Sequence, residues 1–254
     1  MNFWRYCNFL MLLFLSWISF ASEELFVVGT TSGYAPYVSI NEKGEYEGFD
    51  IDIAKLISER LRRKLVIKDL GSMSSLLIAL QKKKIDSLIW AISITEDRLK
   101  EMLMIYYHGE KVTSMPFLFW KKIPDGISTI SDLGIEKNRI VCVETGSYQD
   151  SILQKYPQIK IRNLDKIIDG IMEIRYGKSF TTLVDYSLLP RLQNQFPELK
   201  VLHLPLPSDQ QSLGYGICME KSNIQLAGQV EKIISDLRSE GKILELEKKW
   251  KLLQ

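Results

Sequence analysis

The chain has 254 residues, 46% hydrophobic and 25% charged, with a net charge of +2. These proportions are ordinary for a globular protein. The near balance of charge, with no basic stripe standing out from an acidic background, argues against nucleic acid as the main partner.

Arg5 is the only charge before Glu23, and Phe9 to Phe20 form an almost unbroken apolar run. Ser19-Phe20-Ala21 then supplies small residues where a signal peptidase reads, so residues 1–21 are expected to be a signal peptide cleaved after Ala21. The run falls short of the about 20 residues that a comfortable membrane span needs. An uncleaved anchor is the competing reading, and a lipoprotein is disfavoured because Cys7 precedes the apolar run. Export to the periplasm as a soluble protein is therefore expected. Loss of Arg5 leaves a charge of +1 on about 230 residues, enough for two lobes or one large domain.

In chain order, "LFVVG" (25–29) reads as a buried strand. "DIDIAKLISERLRRK" reads as a helix with Asp50 as its cap and Ile53, Ala54, Ile57 and Leu61 on one face. "LVIK" is strand, "SSLLIALQKKK" helix and "DSLIWA" strand again. The basic runs "LRRK" and "QKKKID" fall at helix ends, where cations suit the dipole. After "VTSMPFLFWKK" the pattern restarts. "RIVCV" (139–143) is strand, "LDKIIDGIMEIRYG" helix with Asp165 near its start and Gly177 near its end, and "FTTLV" (180–184) strand. "NIQLAGQVEKIISDLRSEG" is a long helix with Val230, Ile233, Ile234 and Leu237 inward and Gly241 as its stop. "ILELEKKWKLL" is amphipathic again. Such alternation implies a mostly parallel sheet with helices on both faces, and the restart implies two similar α/β lobes. Open α/β sheets bind ligands beyond the carboxyl ends of their strands.

Cys142 and Cys218, in the strand-like runs "RIVCV" and "GYGICM", read as buried free thiols. Close Cys or His pairs with metal-ligand spacing are absent, so no metal or cofactor is expected. "RYGKSF" contains the Gly-Lys-Ser tail of a phosphate loop, but the required first glycine falls on Met172 and the segment ends a helix. "GTTSG" (29–33) follows a strand without completing a dinucleotide motif. His108 and His203 have no supporting catalytic pattern.

One corner carries chemistry. In "IDSLIWAISITEDR" (85–98) a strand ends near Ala91, and Thr95-Glu96-Asp97 marks a helix start with outward N–H groups. Arg98 lies one turn inside. Free N–H groups, hydroxyls and a forked guanidinium together suit a planar carboxylate.

"GTTSGYAPYVSINEKGEYEGFDIDIAKLISERL" closely resembles the opening of the family 3 solute-binding proteins, the periplasmic amino-acid receptors of ABC importers. The matching residues are Gly29, Tyr34, Pro36, Tyr37, Gly44, Gly48, Phe49, Asp50, Asp52 and Ala54. "LLIALQKKKIDSLIWAISITEDR", "RIVCVETGSYQD" and "LRSEGKILELEKKW" resemble later family blocks. The resemblance covers nearly all of residues 25–253. It is similar above all to the arginine- and glutamine-type receptors, and "IMEIRYGKS" resembles the chlamydial arginine-binding branch.

The resemblance implies an α/β, two-lobed type II periplasmic-binding-protein fold with a ligand cleft between the lobes. Lobe 1 would span 24–107 and 215–254, and lobe 2 would span 108–214 including the hinge crossings. It implies that Arg98 holds a ligand α-carboxylate, helped by Ser93 and the backbone at Ala91 and Tyr148, and that Asp185 accepts the α-ammonium. Tyr34 and Met73 would sandwich the side chain, while Ser147 and Gln149 line the far wall. Read without the resemblance, Tyr34 and Met73 could equally be core and Asp185 a helix cap before "YSLLP". Thr31 departs from the aspartate that basic amino-acid receptors often carry for a distal cation. Trp90, at the strand end, either walls the pocket or turns into the core. Glu144 sits where relatives enter the pocket; a carboxylate there favours arginine, lysine or ornithine, because a buried unpaired charge is costly, although the side chain could equally point to solvent. The implied partners are an L-amino acid and the membrane permease of an ABC importer, with the chain a monomer. A neutral polar ligand such as glutamine is the alternative. So is a dehydratase on the same fold, for which Glu144 and Asp185 would be the candidate acid and base, or a ligand sensor acting through a partner protein.

Overall fold

The computed structural model describes residues 23–253; the expected signal peptide lies outside them. Two five-stranded sheets form, each with helices packed against it. The first contains β1 (Leu25–Thr30), β4 (Lys64–Asp69), β5 (Ser87–Ser93), β6 (Leu103–His108) and β12 (Tyr215–Met219), in the order β4-β1-β5-β12-β6. The second contains β7 (Ser114–Trp120), β8 (Ile140–Glu144), β9 (Lys160–Leu164), β10 (Thr181–Leu183) and β11 (Leu199–Pro205), in the order β11-β7-β10-β8-β9. A two-residue hairpin, β2 (Ser39–Ile40) with β3 (Tyr46–Glu47), precedes the first helix.

The sheets share one plan. β4, β1 and β5 run parallel, as do β9, β8 and β10. A reversed strand then interrupts each: β12 pairs antiparallel with β5 and β6, and β7 with β10 and β11. Four of the five strands in each sheet therefore run the same way, as the expected mostly parallel sheets require, and the one reversed strand in each was not foreseen. The reversed strands are the ones the chain forms on first entering the second sheet and on returning to the first. β7 comes from "VTSMPFLFWKK", which strand patterning passes over because Pro116 lacks an N–H. Pairing with β10 covers only Phe117 and Leu118, so Pro116 owes that neighbour no donor.

Helices cover the apolar faces at the expected spacing. α1 (Phe49–Leu61) buries Ile53, Ala54 and Ile57. α2 (Met73–Gln81) is capped by Ser72, whose side chain accepts from the Ser75 amide at 3.2 Å. α3 (Glu96–Glu101) begins at Thr95, as its sequence predicts: the Thr95 hydroxyl accepts from the Arg98 amide at 3.3 Å. In the second lobe lie α4 (Tyr148–Leu153), α5 (Ile167–Arg175) and α6 (Leu189–Gln195). The chain closes on the first lobe with α7 (Ile224–Ser239) and α8 (Lys242–Lys249), separated by Gly241 at φ +76°. α8 is latched back by Asp52, which accepts from the Trp250 indole at 2.9 Å and from Lys249 at 2.7 Å.

Asp50 is not the cap of α1. That place belongs to Gly48, and the Asp50 side chain turns inward to full burial. Asp165 lies near the start of α5, as expected, one residue before the cap position at Lys166. Cys142 and Cys218 are buried and free, as expected. Among the described residues no helix is long and apolar enough to cross a membrane.

Candidate functional site: a cleft between the sheets

Three chain corners from the first sheet and three from the second converge on one cavity of about 300 Å³, including its mouth. Tyr34 follows β1, Met73 opens α2, and Trp90, Ala91, Ile92, Ser93 and Arg98 come from the end of β5 and α3. Facing them are Glu144 at the end of β8, Ser147, Tyr148 and Gln149 at the start of α4, and Asp185 after β10. All eleven residues singled out in the sequence line this cavity. Ile92 joins them, unremarked because it reads as strand core.

Arg98 is partly buried. Its Nη1 donates to the Ser93 carbonyl at 2.9 Å and its Nη2 to the Gly146 carbonyl at 3.1 Å. A guanidinium has five N–H donors, so the remaining ones stay available to an anion in the cavity. Burial lowers the Arg98 pKa from its ordinary value, but arginine at this level keeps its charge.

Asp185 does two jobs. Its Oδ1 accepts from the Ser187 amide at 2.9 Å, from the Ser187 hydroxyl at 2.6 Å and from the Tyr215 hydroxyl at 2.7 Å. Oδ1 thus caps the following turn, as the sequence allows, and the residue also lines the cavity. All three bonds fall on one oxygen, leaving Oδ2 to accept from something else. Tyr215, at the start of β12, escaped the sequence reading; an aromatic in "GYGICM" looks like strand filling.

Glu144 is different. Its carboxylate makes no hydrogen bond or ion pair with the described residues, and burial pushes its pKa up to about 7. Tyr34 shares the cavity with both acids. Burial, then Asp185, then Glu144 drive the Tyr34 pKa well above its ordinary value. Tyr34 also packs against the cores of both lobes, and its ring centroid stands 5.2 Å from that of Trp90.

Trp90 both walls the cavity and belongs to the first lobe's core, at 5% exposure. Its indole N–H is buried without a hydrogen-bond partner among the described residues. β5 runs on to Ser93, beyond the end its sequence suggests, because a bulge absorbs the polar turn. β12 advances from Gly216 to Cys218 while β5 retreats from Ile92 to Leu88. Bulges re-aim side chains beside functional sites, and this one contains Trp90 and Ala91. Thr31 lies outside the lining; its hydroxyl donates to Asp69 at 3.2 Å.

Two α/β sheets of matched topology with a cation and two carboxylates converging in the cleft between them define a two-lobed, type II binding protein. The chain belongs to the bacterial extracellular solute-binding proteins, family 3, whose family model matches residues 26–253. It is 36% identical over 234 residues to the probable ABC transporter arginine-binding protein ArtJ of Chlamydia trachomatis serovar D, covering 91% of this chain and 88% of that one. A crystal structure of a mutant of ArgBP from T. maritima superposes with a TM-score of 0.78 at 27% identity, covering 91% and 97% of the two chains. An ancestral arginine-binding protein bound to arginine gives a TM-score of 0.75 at 25% identity, covering 89% and 97%.

Proposed function

We propose that the cleft captures an L-amino acid with a cationic side chain, arginine, lysine or ornithine, in the periplasm and delivers it to the permease of an ABC importer. The observation that carries this reading is the charge count of the cavity. Arg98 contributes one cation, Asp185 and Glu144 two anions, and Glu144 has no cationic partner among the described residues. A ligand with one carboxylate and two cationic groups complements that set group by group. Arg98 would hold the carboxylate with its spare donors, Asp185 Oδ2 the α-ammonium, and Glu144 the distal cation. Tyr34, Trp90 and Met73 would line the stem, with Ser147, Tyr148 and Gln149 opposite. Closing such charges away from water strengthens each pairing. The names of the arginine-binding relatives support the same choice.

Glutamine is the second reading. With a pKa near 7, a protonated Glu144 would donate to a side-chain amide. A thermal-shift screen of the mature chain against the standard amino acids and ornithine separates the two. A ligand at 100 times its dissociation constant adds about 2.7 kcal/mol of stability. The largest shift should come from a dibasic amino acid; a larger one from glutamine, or none at all, overturns the proposal. Turnover of cyclic carboxylic acids would instead favour the dehydratase alternative.

A further inference from the structure

Asp50 is 1% exposed and does not line the cavity, yet it is bonded to a residue that does. Its Oδ2 accepts from the Ala91 amide at 2.7 Å and its Oδ1 from the Tyr107 hydroxyl at 2.6 Å. Tyr107 is itself fully buried.

Ala91 needs holding. Its φ is +44°, the left-handed region, where the Cβ of an L-residue crowds the following carbonyl oxygen. Residues persist there when their surroundings over-determine them. At the bulge the register between β5 and β12 breaks, and the amide of Ala91 points instead to a carboxylate from the first turn of α1. A charged acceptor makes a stronger bond to an amide than a neutral one. That carboxylate is kept at a cost, since burial lifts the Asp50 pKa to about 7 despite two donors.

We propose that Asp50 is a positioning residue for ligand capture: through the Ala91 amide it fixes the left-handed turn that shapes one wall of the cleft. Ligand affinity then depends on an acid that does not touch the ligand. This rests on the amino-acid-binding reading above, and the strain at Ala91 supplies its test. Glycine adopts the left-handed region without penalty, so the Ala91→Gly variant has less need of Asp50.

L-Arginine binding is measured by calorimetry for wild type, Asp50→Asn, Ala91→Gly and the double variant. Asp50→Asn should weaken binding about tenfold in the wild-type background, and less than about threefold in the Ala91→Gly background. Equal penalties in both backgrounds, or no penalty in the first, overturn the proposal, because a general loss of lobe stability would not be relieved at position 91. In ligand-free protein the residue 91 amide should exchange with solvent about tenfold faster in Asp50→Asn than in wild type; unchanged exchange also overturns it. Should Asp50→Asn not fold, Tyr107→Phe takes its place in the same cycle. It frees Asp50 of its second donor and should weaken binding by about threefold, again less so when combined with Ala91→Gly; equal effects in both backgrounds count against the proposal. If wild type ignores L-arginine but binds another amino acid, the cationic-ligand reading fails and the cycle is run with that amino acid. If it binds none, both fail.

Discussion

Arg98 Nη2 donates to the Gly146 carbonyl at 3.1 Å, and the two residues stand on opposite sides of the cleft, one after β5 and the other after β8. The guanidinium proposed to offer its spare donors to a ligand is therefore also a strut between the lobes. Tyr215 makes the companion link, from β12 of the first sheet to Asp185 of the second lobe at 2.7 Å. Arg191 adds a third, donating to the Gly33 carbonyl at 3.1 Å. Two of these three inter-lobe bonds involve groups proposed to hold the ligand, so on that proposal the ligand and the lobe-to-lobe bonds share Arg98 and Asp185.

Replacing Arg98 by alanine removes the strut and, on the proposed function, the ligand's anchor. Affinity for the ligand should fall by about 3–5 kcal/mol, the usual result of unpairing a buried charge. Arg98→Lys should recover part of that loss, because a point charge survives while the fork does not. Calorimetry measures both, and an unchanged affinity in Arg98→Ala would take Arg98 out of the site.

Tyr215→Phe deletes one of three donors to Asp185 Oδ1 and leaves the ring in place. A hydrogen bond to a charged group is worth about 1.5–3 kcal/mol, and the two Ser187 donors soften the loss. Binding should weaken by about 1.5 kcal/mol. A variant that binds as wild type would show that Ser187 alone orients the carboxylate.

If Glu144 holds the ligand's distal cation, as proposed, ligand affinity should depend on pH. The Glu144 pKa is raised to about 7, so the protein with an empty cleft holds a proton there below pH 7 that the unfolded chain releases above about 4.5. Folding stability from this group therefore falls as pH rises from about 4.5 to 7. Asp50 is raised to the same region, so the comparison must be between wild type and Glu144→Gln. The variant should be the more stable at pH 8 without ligand. Affinity of wild type for a dibasic amino acid should drop as pH falls below 7, because the proton competes with the ligand cation, and Glu144→Gln should flatten that dependence. Parallel profiles for the two proteins would place Glu144 outside ligand contact.

Gly48 permits the entry into α1. Its φ is +133°, and a Cβ there would lie 2.0 Å from the Tyr37 carbonyl oxygen. That oxygen already accepts from the Asp50 amide at 3.1 Å, so the clash would push away the turn that presents Asp50. Gly48→Ala should cost about 3 kcal/mol or more of folding stability. Urea unfolding reads this directly; a loss under about 1 kcal/mol would mean that the turn moves freely.

Local sequence carried much of this protein. The helices α1, α2, α7 and α8 are legible in apolar spacing, the start of α3 in Thr95-Glu96-Asp97, and the cavity corner at Arg98 in a strand that ends in hydroxyls and an arginine. Those signals act over one or two turns of chain, where backbone sterics and side-chain capping decide the outcome. The family motifs then brought Tyr34, Glu144 and Asp185 into view as companions of Arg98, although they lie up to 151 positions apart in the chain. What tertiary structure alone decided were the contacts whose energy depends on distant partners. Reversal of β7 and β12 follows from which strands they meet. Asp50 looks like a helix cap until its carboxylate is seen beneath Ala91, and Tyr215 looks like core until its hydroxyl reaches Asp185. A polar group buried by folding must find its partner wherever the fold supplies one, and neighbours in sequence do not reveal where that will be.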